Sequence, residues 1–137
     1  MRRRTLLVVD DDADLRETLQ EVLGDAGFSV LTAHHGAHAL ELLQTLPTPP
    51  ALVLLDMMMP VLDGRAFLAR VREDPRWAGL RVVIFSASVD VARTALELGA
   101  AGYLRKPVSV EGLLDLVEHQ LVDRAPNAPS PSGRGLG

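Results

Sequence analysis

The sequence predicts an α/β fold, a three-layer α/β/α sandwich built on a five-stranded parallel sheet. Three observations carry this. Five short apolar runs recur, at about 5–9, 28–32, 51–55, 80–85 and 101–104. Each is followed by a stretch whose apolar residues repeat at helical spacing. Runs such as Val53-Leu54-Leu55 and Val82-Val83-Ile84-Phe85 are continuous rather than alternating, as strands covered on both faces require. Strand and helix therefore alternate five times, and right-handed crossovers between such strands are near-obligatory.

The elements follow in order. Thr5-Leu6-Leu7-Val8-Val9 is the first strand. Asp12 is expected to help start the helix behind it. Leu15, Leu19, Val22, Leu23 and Ala26 form that helix's apolar stripe, and Gly27 ends it, since glycine accepts the left-handed conformation at a helix terminus. Ala39, Leu40, Leu43 and Leu46 make the second stripe, stopped by Pro47-Thr48-Pro49-Pro50, where proline cannot continue a helix. Asp63-Gly64 shapes the loop into a third helix, marked by Ala66, Phe67, Arg70 and Val71 and closed near Asp74-Pro75. Ala92, Ala95, Leu96 and Leu98 mark the fourth, ended by Gly99. The fifth carries Val110, Leu114, Val117 and Leu121, with Ser109 as its N-cap and Gly112 a mild weakness inside.

Composition excludes several function classes. The chain has 137 residues and is 47 % hydrophobic, so one domain with a substantial core is expected and disorder is not the default. It has no cysteine, which removes disulfides, thiolate catalysis and zinc–thiolate sites and fits a cytoplasmic location. A net charge of −4 does not suggest a nucleic-acid surface. The apolar runs fall far short of the ~20 residues that cross a bilayer. Arg2-Arg3-Arg4 could open a signal peptide, but the apolar stretch behind it is short and ends in three aspartates, so it is read as a solvated lead-in. The domain is placed at 1–124. The Pro/Ser/Gly-rich stretch 125–137 is expected to be a disordered tail.

Chemistry gathers at one edge. In open α/β sheets, ligands bind outside the carboxyl ends of the strands. Asp10 and Asp11 end the first strand, Asp56 the third, Ser86 follows the fourth and Lys106 the fifth. Two carboxylates ~4 Å apart repel by roughly 4 kcal/mol at an effective dielectric of 20, so three together call for a cation. An all-oxygen set with few protein ligands suits Mg²⁺, which keeps waters and recruits phosphate oxygens. The Met58 carbonyl, two residues past Asp56, could turn back to join it. A carboxylate beside Mg²⁺ can attack phosphorus, and a metal, a cation and a hydrogen-bond donor stabilise the transferred group. Lys106 and the Ser86 hydroxyl supply the last two. Lys106 is the single lysine among fourteen basic Lys and Arg residues, a compact point charge where the rest are planar forks.

Val8-Val9-Asp10-Asp11-Asp12, Leu55-Asp56-Met57-Met58-Met59-Pro60-Val61-Leu62-Asp63-Gly64, Phe85-Ser86-Ala87-Ser88 and Gly102-Tyr103-Leu104-Arg105-Lys106-Pro107 together resemble the receiver domain of bacterial two-component response regulators, in the manner of single-domain chemotaxis regulators. The resemblance covers roughly 4–123. It implies the flavodoxin-like strand order 2-1-3-4-5 and a phosphorylation-switched signalling module rather than a turnover enzyme. Asp56 would take a phosphoryl group from a sensor histidine kinase or a histidine phosphotransfer protein. Asp11 and Asp56 would ligate Mg²⁺ directly with the Met58 carbonyl, and Asp10 through a water. Ser86 and Lys106 would hold phosphoryl oxygens, Lys106-Pro107 would be cis, and Tyr103 would be an aromatic switch that follows Ser86. The surface of helix four, strand five and helix five would carry the signal to a partner protein, from a monomer or a phosphorylation-dependent dimer. Ser86 stands where threonine is commoner in the family. Met58 and Ser88 occupy positions resembling those that tune phosphoryl lifetime, and apolar Met58 suggests slow self-dephosphorylation.

Other residues have plainer readings. His34, His35 and His38 include an i, i+4 pair able to bind a metal, but solvated surface is the preferred reading. Met57-Met58-Met59 is read as packing and loop structure, and Trp77 as loop packing. A Mg²⁺ phosphatase with an aspartate nucleophile would place a second acid two residues after it, where Met58 stands. No Gly-x-Gly-x-x-Gly or Gly-x-x-x-x-Gly-Lys-Ser/Thr follows a strand, which argues against a nucleotide cradle. No helix-turn-helix or catalytic output domain is legible. A stand-alone regulator or phosphorelay intermediate is therefore expected, with a receiver fragment of a longer regulator as the alternative.

Overall fold

Residues 4–59 and 62–122 are described by the computed structural model. Arg2, Arg3 and the tail expected at 125–137 lie outside the described residues. The elements alternate as β1 (Thr5–Val9), α1 (Ala13–Asp25), β2 (Ser29–Ala33), α2 (Gly36–Thr45), β3 (Leu52–Asp56), α3 (Gly64–Glu73), β4 (Val82–Ser86), α4 (Val91–Leu98), β5 (Gly102–Arg105) and α5 (Val110–Val122). The strands pair in the order β2-β1-β3-β4-β5, all parallel. The chain steps one way from β1 to β2 and the other way to β3. A crevice therefore opens between β1 and β3, the position at which doubly wound sheets bind ligands.

Alternate strand residues face opposite layers, because side chains in a strand point to opposite faces in turn. Leu7, Val9, Val53, Leu55, Val82 and Ile84 meet Ala39 and Leu43 of α2, Phe67, Leu68 and Val71 of α3, and Val91 and Ala95 of α4. Leu6, Val8, Leu52, Leu54, Val83 and Phe85 meet Leu19 and Leu23 of α1 and Leu113, Val117 and Leu121 of α5. β3 and β4 are buried at every position, which is why their sequences do not alternate.

The helix termini follow their expected chemistry. Asp12 caps α1 by accepting from the Asp14 and Leu15 amides. Asp63 caps α3 by accepting from the Ala66 amide, and the Ser109 hydroxyl accepts from the Gly112 amide. Gly99 ends α4 in the left-handed region at φ 68°, where side chains with a Cβ are strained.

Some expectations need correcting. β1 matches its apolar run, while the other strands end one residue later than theirs, so Asp56 ends β3 as expected and Ser86 is the last residue of β4 rather than the first beyond it. Ladder bonds continue past the apolar residues, from Met57 N–H to the Phe85 carbonyl at 3.2 Å and from Lys106 N–H to the Ser86 carbonyl at 2.9 Å. Leu96, assigned to the inward stripe of α4, is 84 % exposed. The short α4 packs through Val91 and Ala95, four apart, and the residue after Ala95 is turned about 100° away. Val110 is likewise exposed, and Leu113 takes the buried place on α5 with Val117 and Leu121.

Candidate functional site

Strand register assembles the site. Val9 pairs with Leu55, so Asp10 and Asp56 come level at the ends of neighbouring strands. Asp56 pairs with Phe85, which sets Ser86 one step further along β4. Ser86 pairs with Arg105, and Lys106 follows. Every sequence-predicted group on this edge is thus placed by backbone pairing between elements far apart in the chain.

The turn after β1 is fixed from several directions. The Asp10 amide donates to the Ala33 carbonyl at 3.1 Å. Asp10 Oδ1 accepts from the Asp12 amide at 2.9 Å, and Arg16 Nη1 donates to the Asp10 carbonyl at 2.7 Å. Asp12, engaged in capping α1, turns away from this set. Oxygens of Asp10, Asp11 and Asp56 lie within 4.8 Å of one another, with Asp10 and Asp56 buried and Asp11 exposed. Among the described residues this is the one cluster of three or more acidic or histidine ligands so arranged.

Lys106 reaches over the buried pair. Its Nζ is 3.3 Å from Asp10 Oδ2 and 3.4 Å from Asp56 Oδ1, and 5.1 Å from the centre of the Phe85 ring, within range of a cation–π attraction. Asp56 Oδ1 also accepts from the Met58 amide at 3.2 Å. Asp10 Oδ2 is fully buried and receives no hydrogen bond of good geometry. The ammonium lies at ion-pair distance from it, and the attraction between them is chiefly coulombic.

Burial, joined by the Asp10 charge, pushes the Asp56 carboxyl up to about 6, against the lowering pull of the Met58 amide and Lys106. Burial draws the Lys106 ammonium down, but Asp10 and then Asp56 outweigh it and hold it above its ordinary range. Three carboxylates facing one ammonium leave two negative charges uncompensated. A divalent cation would offset both. The all-oxygen donor set and the orphaned Asp10 Oδ2 fit a hard ion such as Mg²⁺.

The neighbouring loops press close. A Cβ on Gly64 would meet Met57 Sδ at 2.7 Å and the Asp56 carbonyl at 2.9 Å; only glycine lets α3 start this near the end of β3. Met58 is 75 % exposed, while Met57 and Met59 are buried. An open cleft of about 220 Å³ beside Ser86 is lined by Met57, Met58, Asp63, Arg65, Ser88 and Thr94 among others. Ser86 Oγ accepts from the Ser88 amide at 3.1 Å, and Ser88 Oγ from the Asp90 amide at 3.1 Å. Tyr103 is 45 % exposed, and the Lys106-Pro107 peptide is cis.

Sequence reasoning did not find Arg16, whose contact with the Asp10 carbonyl spans the β1–α1 turn, or Arg105, whose Nη2 donates to the Val89 carbonyl at 3.1 Å. An arginine in a helix or at a strand end gives no sign of which carbonyl it will reach. His35 and His38 are half-buried rather than fully solvated, and His35 caps α2 by accepting from the His38 amide.

Comparison with known proteins agrees with this geometry. The response regulator receiver domain family matches residues 6–118. The chain is 36 % identical over 123 residues to the DNA-binding transcriptional regulator NtrC of Escherichia coli, covering 88 % of this chain and 25 % of that protein. It is 40 % identical over 109 residues to the response regulator MprA of Mycobacterium avium, covering 80 % of this chain and 47 % of that one. It therefore spans a quarter to a half of these two relatives. The chemotaxis response regulator CheY4 of Vibrio cholerae superposes with a TM-score of 0.80 at 28 % identity, over 88 % of this chain and 100 % of that one. With this sheet order, this acidic pocket and a family match over most of its length, the chain belongs to the response regulator receiver domain family and is a phosphorylation-switched signalling module.

Proposed function

We propose that the chain accepts a phosphoryl group on Asp56 from a sensor histidine kinase or a histidine phosphotransfer protein, and that this changes its protein contacts. The observation that carries the reading is the convergence of three carboxylates with one ammonium at the β1/β3 crevice. Asp11 and Asp56 would hold Mg²⁺ directly with the Met58 carbonyl, and Asp10 through a water. When bound, the ion supplies positive charge against the carboxylates and the incoming phosphoryl oxygens. The Asp56 carboxylate attacks phosphorus as the phosphorus–nitrogen bond of the donor breaks. Lys106, already 3.4 Å from Asp56, moves to a phosphoryl oxygen, which shares the charge that Asp56 alone carried. The Ser86 hydroxyl, which accepts from the Ser88 amide, donates to another.

Drawing Ser86 inward would pull on the β4–α4 loop, and Tyr103, half-exposed on β5, would follow into the space released. The exposed Leu96, Tyr103 and Val110 supply apolar contact area on the α4–β5–α5 face for a partner protein. The match to the whole of CheY4 supports a stand-alone regulator or phosphorelay intermediate. The span of a quarter of NtrC supports the receiver part of a longer regulator. Met58 in place of a second acid disfavours a phosphatase acting on external esters.

The test is intact-mass measurement after incubation with acetyl phosphate. A gain of one phosphoryl group is expected with Mg²⁺, lost on chelation and in Asp56→Asn. Undiminished labelling of that variant, or steady turnover of unrelated phosphate esters, would reject the assignment.

A further inference from the structure

A second cluster of ligand-bearing side chains stands apart from the acid pocket. His34 and His35 follow β2, and His38 lies in the first turn of α2. The three rings pack together: His34 lies 4.4 Å from His35 and 4.4 Å from His38, centre to centre. His34 Nδ1 and His38 Nδ1 are 2.9 Å apart.

The backbone constrains which nitrogens carry protons. The His34 amide donates to His38 Nδ1 at 3.3 Å, so the single lone pair of that nitrogen is turned to the amide and the His38 proton sits on Nε2. His35 Nδ1 accepts from the His38 amide at 3.0 Å, a shorter contact that caps α2, so it is the less free of the two acceptors to ligate. The 2.9 Å between the two remaining nitrogens is bridged by a proton from His34, or by none once His34 moves its proton to Nε2. That tautomer change leaves the charge of the pair unaltered.

We infer that His34 and His38 form a two-imidazole site for a late first-row transition-metal ion that takes ligands at right angles, Cu²⁺ or Ni²⁺. Two nitrogens roughly 2.05 Å from one ion and at 90° to each other lie about 2.9 Å apart, whereas tetrahedral ligation needs about 3.3 Å. The observed separation matches the first geometry; turning the exposed His34 ring and releasing the His34 amide contact to His38 Nδ1 would bring both lone pairs onto one ion. His38 is half-buried and held through its own amide by His35, so one ligand is already ordered, while exposed His34 leaves the remaining coordination positions to water. Lost hydration, followed by the charges of His38, His35 and Arg16, keeps His34 below its ordinary range, which favours the neutral form that a metal needs. Of the charges acting on His34, Arg16 opposes a bound cation and Glu41 favours it.

The full chain is titrated with Cu²⁺ or Ni²⁺ in buffer saturating in Mg²⁺, followed by calorimetry, with electron paramagnetic resonance for copper. One equivalent is expected to bind, with two nitrogens in the copper signal. His34→Gln and His38→Gln should each weaken binding by about tenfold or more, His119→Gln should leave it unchanged, and circular dichroism should show all three variants folded. Retention of affinity in both cluster variants overturns the site. So does loss of binding in His119→Gln or Asp11→Asn instead, or saturation only at roughly millimolar ion.

Discussion

The Lys106 ammonium lies 3.4 Å from Oδ1 of Asp56, so the single lysine of the chain partly neutralises the carboxylate that burial most perturbs. It does so incompletely, since the Asp56 carboxyl still stands near 6. The unmodified site is therefore under charge stress that a metal or a phosphoryl transfer can change.

The first consequence is a pH-dependent stability. The Asp56 carboxyl is raised from 3.8 to about 6 by folding, so the folded state binds the proton more tightly than the unfolded one. Its contribution is most favourable below about pH 4 and is lost as pH rises through 6. In chelator, Asp56→Asn should be more stable than the parent at pH 8, by on the order of 2 kcal/mol. The difference should vanish below pH 4. Paired urea melts across pH 3.5–8 check this, and a gap independent of pH would contradict it.

Lys106→Met removes the countercharge and leaves two buried carboxylates facing each other. Without metal at pH 7.5 it should lose about 1–3 kcal/mol of stability. Because the ammonium and a divalent ion compete for the same oxygens, the variant should bind Mg²⁺ about tenfold more tightly. Calorimetric Mg²⁺ titration measures this, and weaker binding would mean that Lys106 organises the carboxylates rather than opposing the ion.

Met58 is exposed beside the cleft at Ser86 and offers no group to orient an attacking water. Met58→Asn should shorten the life of the phosphorylated form about tenfold, what one added hydrogen bond to the attacking water would supply. Decay of the phosphorylated mass in Mg²⁺ after donor removal gives the rate. A parent half-life of seconds would itself contradict the slow loss ascribed to Met58.

Gly64 and Gly24 should respond oppositely to alanine. A Cβ on Gly64 meets backbone atoms of Asp56 and Met57 at 2.9 Å, which cannot yield without moving the end of β3. Gly64→Ala should cost about 1–3 kcal/mol and slow phosphorylation. Gly24 lies inside α1 with nothing within 4 Å of its Cβ position, so Gly24→Ala should gain roughly 0.5–1 kcal/mol. Equilibrium denaturation of the two variants tests the pair.

The element order, the doubly covered strands and the caps at Asp12 and Ser109 were legible in the sequence, because periodicity, glycine and short polar side chains act within a few residues of themselves. The acids, Ser86 and Lys106 were legible because polar residues closing apolar runs must emerge at strand ends. Tertiary structure alone decided the rest. Register between β1, β3, β4 and β5 set the 3.3–3.4 Å contacts of Lys106. Packing of a short α4 against the sheet left Leu96 outside. Arg16 found the Asp10 carbonyl, and the rings of His34 and His38 met. These are meetings between groups whose separation in space depends on how whole elements pack, and no local preference of the chain encodes that distance.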